Sequence, residues 1–328
     1  MWGALIGDAC GATLEFKNEI TFDDALEAMK MPGGGKLRVG AGQITDDGEL
    51  CLALWSALTH SSTNEYPIDA VARAYGLWYQ SIPFDIGRTC SFAFEVAANH
   101  MESGWAADSV YEIIREVKDL NGQTEANGAL MRASPIAAWY ALNMARHDDI
   151  MYIEKAAQDA ADAAEEDARL SHPGKATRSA NMVYVYALTL LLLGRSPSIV
   201  ITKVECFARG MCPSVYQRLE ESKKVDMGDF TENVRHVRHA FTAAFWFLRR
   251  PEIDFETAIR MVLMKGGDTD TNAAIVGAMV ASYQPIPLEL IGKVYAFDCQ
   301  RPDTITTGNR RYGIERPVEY GVRYQLPL

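Results

Sequence analysis

Apolar residues recur three and four positions apart through most of this 328-residue chain, and this helical periodicity constrains the fold more than any other feature. Alternating patterns typical of strands are hard to find, so we predict an all-α protein. Glycine- and proline-rich loops separate the segments, and none is long or biased enough to be an interdomain linker. The predicted helices cover residues 2–16, 48–58, 68–80, 90–101, 109–118, 131–143, 150–168, 176–193, 234–248, 255–264 and 272–283.

The domain organisation follows from the same pattern. No internal repeat of fixed period is present, which argues against a helical solenoid. We therefore expect a single domain spanning residues 1–328, with an irregular C-terminal tail from about residue 300, where the helical pattern is lost. The acidic stretch 165–167 is expected on a solvated helix face.

Net charge and cysteine use limit the partners and the compartment. A net charge of −11 repels a phosphate backbone, so nucleic-acid binding is not expected. The six cysteines are scattered without a Cys-x-x-Cys pair, and the N-terminal stretch lacks the basic residues of a signal peptide, which favours the cytoplasm. The longest apolar run, 183–193, is far shorter than the roughly 20 residues that cross a bilayer, so no membrane partner is expected.

Two acidic clusters lie far apart in the sequence, and each occurs where a loop runs into a predicted helix. The first contains Asp46 and Asp47, and the second contains Asp268 and Asp270. One interpretation is helix capping, because aspartate at a helix start accepts hydrogen bonds from free backbone N–H groups. Asp46 and Glu49 have the spacing of a capping box.

The crowding of carboxylates suggests a second interpretation, in which a cation lies between them. Capping needs one short polar residue per helix, whereas adjacent carboxylates repel each other unless a cation or a proton intervenes. Thr45 and Thr271 add hydroxyl oxygens, and no cysteine or paired histidine is near. If the two helix starts meet in space, this set of oxygen ligands favours Mg²⁺, Mn²⁺ or Ca²⁺ over Zn²⁺.

The first predicted helix carries glycines at a spacing of four, at Gly3, Gly7 and Gly11. Small residues at this spacing are typical of close helix packing, since glycine otherwise destabilises a helix. Asp8 and Glu15 are seven residues apart, which would put them on one helical face. Glu15 is either a carboxylate beside a metal-bound water or a solvated helix end.

Taken with these clusters, the chain resembles the ADP-ribosylglycohydrolase family, which includes the dinitrogenase-reductase-activating glycohydrolase and the ADP-ribosylarginine and ADP-ribosylserine hydrolases. The similarity covers most of the chain and follows the family order. Each motif alone is weak or moderate, whereas six in order are specific. The matching segments are 3–9 with Glu15, 45–47, 84–87, 127–132, 171–173 and 266–271.

The resemblance implies a compact orthogonal bundle of helices with two Mg²⁺ or Mn²⁺ ions at its centre. The ions would bind ribose hydroxyls, and the loops around the diphosphate would supply the other contacts. The implied metal ligands are Thr45, Asp46, Asp47, Asp268, Asp270 and Thr271. The implied substrate-binding residues are Gly87, Asn127, Gly128 and His172; for His172, a loop histidine bonded to backbone is the alternative.

Asp85 and Glu15 are the candidate catalytic residues. Asp85 matches the acidic residue of arginine-directed members, and Glu15 resembles a carboxylate of serine-directed members. Cleaving an N-glycosidic bond develops positive charge at the anomeric carbon, so the reaction needs a nearby carboxylate and a positioned water. Asp85 is alternatively a turn residue that bonds its own backbone.

The favoured function is therefore hydrolysis of the bond between ADP-ribose and a modified side chain, with arginine as the favoured linkage. The substrate would be an ADP-ribosylated protein or small molecule, and the product ADP-ribose. Three alternatives stay open: an ADP-ribosylserine or other O-linked hydrolase, a non-catalytic ADP-ribose-binding member, and a metal-dependent hydrolase of a nucleotide or phosphate ester.

Overall fold

A computed structural model describes residues 1–17, 19–63, 65–144 and 150–297. These ranges contain fifteen α-helices, two isolated β-bridges and no β-strand, which confirms the predicted all-α class. The helices are α1 (Trp2–Gly11), α2 (Phe22–Ala28), α3 (Asp46–His60), α4 (Ile68–Gln80), α5 (Arg88–Glu102), α6 (Ser109–Asn121), α7 (Ser134–Met144), α8 (Ile150–Arg169), α9 (Lys175–Leu192), α10 (Pro197–Ala208), α11 (Pro213–Glu221), α12 (Arg238–Leu248), α13 (Phe255–Leu263), α14 (Thr269–Val280) and α15 (Leu288–Ala296).

Four of these helices, α2, α10, α11 and α15, were not predicted from the periodicity. α10 and α11 begin with Pro197 and Pro213, which resemble breaks in the sequence although proline is favoured in the first turn of a helix. α2 begins with a capping box between Thr21 and Asp24 that the apolar pattern alone does not reveal. The predicted irregular tail from about residue 300 lies outside the described residues, and the single domain stays a prediction.

Helix α1 packs along α14 through its glycine stripe, Gly3, Gly7 and Gly11. A Cβ atom on Gly7 would lie 2.0 Å from the carbonyl oxygen of Ala273, and one on Gly11 would lie 2.4 Å from the Cα atom of Asp270. All residues of both helices are buried. The packing interpretation of the glycines is confirmed, and it brings the C-terminal end of α1 against the first turn of α14.

The remaining helices surround this pair. α12, α13 and α3 pack against α14, while α3, α4 and α5 form one side of the bundle and α7, α8 and α9 another. None of the helices in the described ranges is both long enough and apolar enough to cross a membrane.

Candidate active site

The N-terminal ends of α3 and α14 meet in the interior, as the metal interpretation requires. The Oγ1 atom of Thr271 donates a hydrogen bond to Oδ2 of Asp47 at 3.2 Å. Carboxylate oxygens of Asp8, Asp47 and Asp270 lie within 4.8 Å of one another. Those of Glu15, Asp268 and Asp270 are equally close. We call the buried set Asp8, Glu15, Asp46, Asp47, Asp268 and Asp270 the acidic centre.

Neither cluster acts as a helix cap, so the capping interpretation is wrong for both. α3 begins after Thr45, whose side chain makes no capping bond, and the cap comes instead from α1. Asp8 accepts hydrogen bonds from the backbone N–H groups of Thr45 and Gly48 at 2.9 and 2.8 Å, and from the Thr45 hydroxyl at 2.8 Å. Asp268 precedes α14 without capping it and accepts a bond from Asn127 Nδ2 at 2.8 Å.

Ionising all the carboxylates of the acidic centre together is energetically unfavourable, because they are buried and close to one another. Burial is the largest cause, and it raises the pKa of Asp8 to about 7 and that of Glu15 to about 8. Burial and the neighbouring carboxylates raise the pKa values of Asp46, Asp47 and Asp270 well above the ordinary range. A divalent cation between them would reverse these shifts, because it favours the ionised forms.

Two oxygens of the acidic centre fit the role of cation ligands especially well. Oδ1 of Asp47 and Oε2 of Glu15 are buried and receive no hydrogen bond from the described residues. A buried, unpartnered carboxylate oxygen is unfavourable unless a cation or a proton satisfies it. The donor set around them consists of oxygen atoms, so the residues suit a hard divalent cation.

A cavity of about 300 Å³ opens over the acidic centre. Every predicted substrate-binding residue lines it, as does Asp85, together with all the predicted metal ligands except Thr45.

The half-buried Asp85 has a pKa raised by burial, while the charge of Arg235 acts in the opposite direction. Gly87 precedes α5, and its N–H group donates to Asp46 Oδ2 at 3.4 Å. A Cβ atom on Gly87 would meet nothing within 4 Å, so this glycine borders open space.

The loop at Asn127 and Gly128 lies against His172 in the lining of the cavity. A Cβ atom on Gly128 would come within 3.0 Å of the His172 ring, so this position accommodates glycine alone without movement. His172 is fully buried, and its Nδ1 atom lies 2.8 Å from the hydroxyl of Ser171. Burial lowers the pKa of His172 to about 3, so the ring is neutral. Its bond is to a side chain, so the alternative of a backbone-bonded histidine is wrong.

Arg235 is a cavity residue that the sequence did not single out. Its guanidinium lies 3.6 Å from Oε1 of Glu15 and 5.7 Å from the centre of the Phe16 ring. The segment before α12 pairs with the loop before Gly128, since the N–H group of Asn127 donates to the Arg235 carbonyl at 3.0 Å. An isolated arginine in a loop carries no local motif, so only the folded arrangement identifies it. The capping role of Asp8 was missed for a similar reason, because the helix that it caps is distant in sequence.

The chain is similar to known proteins over most of its length. The family model described as ADP-ribosylglycohydrolase matches residues 1–310. A putative ADP-ribosyl glycohydrolase of Acanthamoeba polyphaga mimivirus is 26% identical over 317 residues, which cover 91% of this chain and 89% of that protein. The ADP-ribosylarginine hydrolase Tri1 of Serratia proteamaculans is 24% identical over 309 residues, which cover 89% of this chain and 73% of that protein.

A solved structure supports the fold. This chain superposes on a chain of an ADP-ribosylglycohydrolase-related protein complex with a TM-score of 0.66 and 22% sequence identity. The superposition covers 99% of this chain and 97% of the other chain. The all-helical bundle of the family is thus the fold of this chain. Since the family model spans nearly all of the sequence, the chain belongs to the ADP-ribosylglycohydrolase family, whose members are hydrolases of glycosidic bonds.

Proposed function

We propose that this chain hydrolyses the N-glycosidic bond of ADP-ribosylarginine with two Mg²⁺ or Mn²⁺ ions bound at the acidic centre. The observation that carries the proposal is the meeting of two acidic helix starts beneath a cavity that Asp85 also lines. The name of the Serratia relative, an ADP-ribosylarginine hydrolase, supports the arginine linkage. The substrate would be an ADP-ribosylated protein or small molecule, and ADP-ribose would be the product.

The chain offers a set of oxygen ligands for the metal ions. Thr45, Asp46, Asp47, Asp268, Asp270 and Thr271 would hold them. When bound, divalent cations neutralise the crowded carboxylates and orient the ribose hydroxyls of the ligand. Asp8 would position this set, because it fixes the start of α3 through three hydrogen bonds.

The substrate contacts follow from the lining of the cavity. The first turn of α5, which begins after Gly87, has no side-chain cap, so its backbone N–H groups and helix dipole suit a diphosphate. Gly87 leaves room for that group to approach. Asn127, Gly128 and His172 line the same cavity and would contact the diphosphate and its neighbours.

The carboxylates of Asp85 and Glu15 are suited to proton transfer. As the bond between the anomeric carbon and the guanidine nitrogen breaks, positive charge develops on the sugar, and a nearby carboxylate stabilises it. A water oxygen forms the new bond to the anomeric carbon, and its proton passes to the carboxylate. The carboxylate then gives this proton to the departing guanidine nitrogen, which yields free ADP-ribose and unmodified arginine. Asp85 is our first choice as the base, with Glu15 as the alternative.

One observation favours a second substrate class, ADP-ribosylserine or another O-linked ADP-ribose. The guanidinium of Arg235 already lies beside Glu15 at the edge of the cavity. A resident positive charge there weakens the attraction of the site for a second guanidinium. A neutral leaving hydroxyl would not meet this repulsion.

The test is to incubate the protein with Mg²⁺ and matched peptides carrying ADP-ribosylarginine or ADP-ribosylserine, and to measure released ADP-ribose. The proposal predicts release from the arginine peptide that Asp46→Asn and Asp270→Asn abolish. Asp119→Asn, on the exposed face of α6, is the matched control and should retain activity. Release from the serine peptide alone would replace the arginine assignment, and binding of ADP-ribose without release from either would identify a non-catalytic binding protein.

A further inference from the structure

A buried chain of side chains connects Asp167 to His172 behind the cavity. Nη2 of Arg132 lies 3.0 Å from Oδ2 of Asp167 and donates to the hydroxyl oxygen of Ser171 at 2.9 Å. That hydroxyl lies 2.8 Å from Nδ1 of His172. The side chains of Arg132 and Asp167 are 0% and 1% exposed, and Ser171 and His172 are fully buried. None of these bonds therefore competes with bulk water.

The arginine at the centre of this chain is firmly held. Oδ1 of Asp167 accepts hydrogen bonds from Tyr75 at 2.7 Å and Tyr66 at 3.0 Å, so its charge is satisfied on both oxygens. Arg132 also donates from Nη1 to the Gly128 carbonyl at 2.9 Å. The guanidinium thus joins Asp167 to the two segments that line the cavity, at Gly128 and at Ser171.

Counting donors and acceptors fixes the direction of the bond between Ser171 and His172. A guanidinium can only donate, so the Ser171 oxygen accepts from Arg132. The single hydroxyl hydrogen of Ser171 has no acceptor among the described residues except Nδ1 of His172. The reverse arrangement, in which Nδ1–H donates to Ser171, would leave a buried hydroxyl hydrogen unsatisfied.

We propose that Arg132 and Ser171 hold His172 in the neutral tautomer that carries its proton on Nε2, so that this atom donates a hydrogen bond to a phosphate oxygen in the cavity. Nε2 is buried and has no partner among the described residues, and it lies beside the position that Gly128 leaves open. The assignment of the phosphate ligand rests on the proposed function, whereas the tautomer does not.

The consequence is a division of roles. His172 contacts the ligand as a neutral donor and takes no proton during the reaction, while Arg132 and Ser171 are positioning residues that act through it. Because burial and the charge of Arg132 keep the imidazole pKa low, the tautomer should persist across the working pH range. Losing one hydrogen bond from a neutral donor to a charged phosphate oxygen weakens binding by roughly tenfold or more.

The experiment is long-range ¹H–¹⁵N correlation NMR of ¹⁵N-histidine-labelled protein, with His172→Gln to assign the signals. We expect Nε2 protonated and Nδ1 unprotonated, unchanged between about pH 5.5 and pH 8. A protonated Nδ1, or titration near the ordinary histidine pKa, would overturn the proposal. In Ser171→Ala the pattern should shift toward a mixture of tautomers.

Binding and kinetics supply the readout that a merely structural role would not give. Ser171→Ala should weaken ADP-ribose binding about tenfold and raise KM with little change in kcat, whereas Ser134→Ala, at another buried serine, should leave both unchanged. Equal ADP-ribose affinity in Ser171→Ala and wild type would refute the donor role. If the wild-type tautomer is as expected but ADP-ribose does not bind, the ligand assignment fails together with the proposed function.

Discussion

Replacing Glu15 by glutamine should stabilise the metal-free protein at high pH, although it removes a residue of the site. Glu15 is 5% exposed, and its Oε2 atom receives no hydrogen bond from the described residues. Burial, followed by the charges of Asp85 and Asp268, raises its pKa from 4.5 to about 8. Glutamine keeps the shape of the side chain and removes the charge that is expensive to bury.

The magnitude follows from the linkage between pKa and stability. The folded state binds this proton more tightly than the unfolded state, so the carboxyl group contributes stability that is lost as the pH rises from about 4.5 through about 8. At about 1.4 kcal/mol per pKa unit, the shift lowers the free energy of unfolding of the wild type by at most roughly 4 kcal/mol at pH 8. The loss is smaller when neighbouring carboxylates of the acidic centre take up protons in place of Glu15. We therefore expect Glu15→Gln to raise the free energy of unfolding by about 1–3 kcal/mol at pH 8.

The assay is urea or thermal unfolding in EDTA at about pH 5 and pH 8, where a gain of this size amounts to several degrees in Tm. Little difference is expected at pH 5. Glu95→Gln, on the exposed surface of α5, is the control and should show no pH-dependent gain. The gain of Glu15→Gln should be lost with saturating Mn²⁺, because a divalent cation in the acidic centre favours the ionised form of Glu15. A Glu15→Gln protein that is equally or less stable than wild type at pH 8 in EDTA would refute the reasoning.

Three further predictions concern packing, catalysis and metal affinity. Gly7→Ala should lower the free energy of unfolding, measured in urea, by at least about 2 kcal/mol, because its Cβ atom would overlap the carbonyl of Ala273. Gly292→Ala, where a Cβ atom meets nothing within 4 Å, is the control and should change the free energy of unfolding little. Equal effects of the two substitutions would contradict the packing of α1 on α14. Asp85→Asn should slow ADP-ribose release by about 10²–10⁴-fold with ADP-ribose affinity nearly unchanged, and a variant with normal turnover would remove Asp85 from the mechanism. Calorimetry should show Mn²⁺ binding that strengthens as the pH rises, because protons on raised-pKa carboxylates such as Asp47 compete with the ion; a pH-independent affinity would argue against ligation there.

The features that could be predicted from the sequence are those with a local signature. Helical periodicity identified the all-α class, and the glycine spacing predicted the close approach of α1 to another helix. The crowding of Asp46 with Asp47 and of Asp268 with Asp270 exceeds what capping needs, and it identified the two helix starts that meet. Each of these signals lies within a few neighbouring residues, so one sequence suffices to reveal it.

The features that were missed depend on tertiary contacts. Asp8 caps α3 from another helix, and the position of Arg235 beside Glu15 results from pairing between two loops. Asp167 was expected on a solvated face but is buried against Arg132, since this part of α8 turns toward the core. Such partners are distant in sequence, and no local pattern encodes them.

The path of the first helix also differs from the prediction. α1 ends at Gly11, before residue 16, and a turn follows, so Glu15 does not share a helical face with Asp8. Carboxylate oxygens of both residues nevertheless lie within 4.8 Å of one of Asp270. The turn allows Glu15 to approach Asp268 while Asp8 approaches the start of α3, which a continuous helix would not achieve.

The most direct test of the central idea, that the two acidic helix starts share divalent cations, is anomalous diffraction from crystals grown with Mn²⁺. We predict two Mn²⁺ peaks, with Asp46 and Asp47 from α3 and Asp268 and Asp270 from the start of α14 as ligands. Crystals in which Mn²⁺ binds elsewhere, or in which these four carboxylates coordinate no ion at saturating Mn²⁺, would contradict the account.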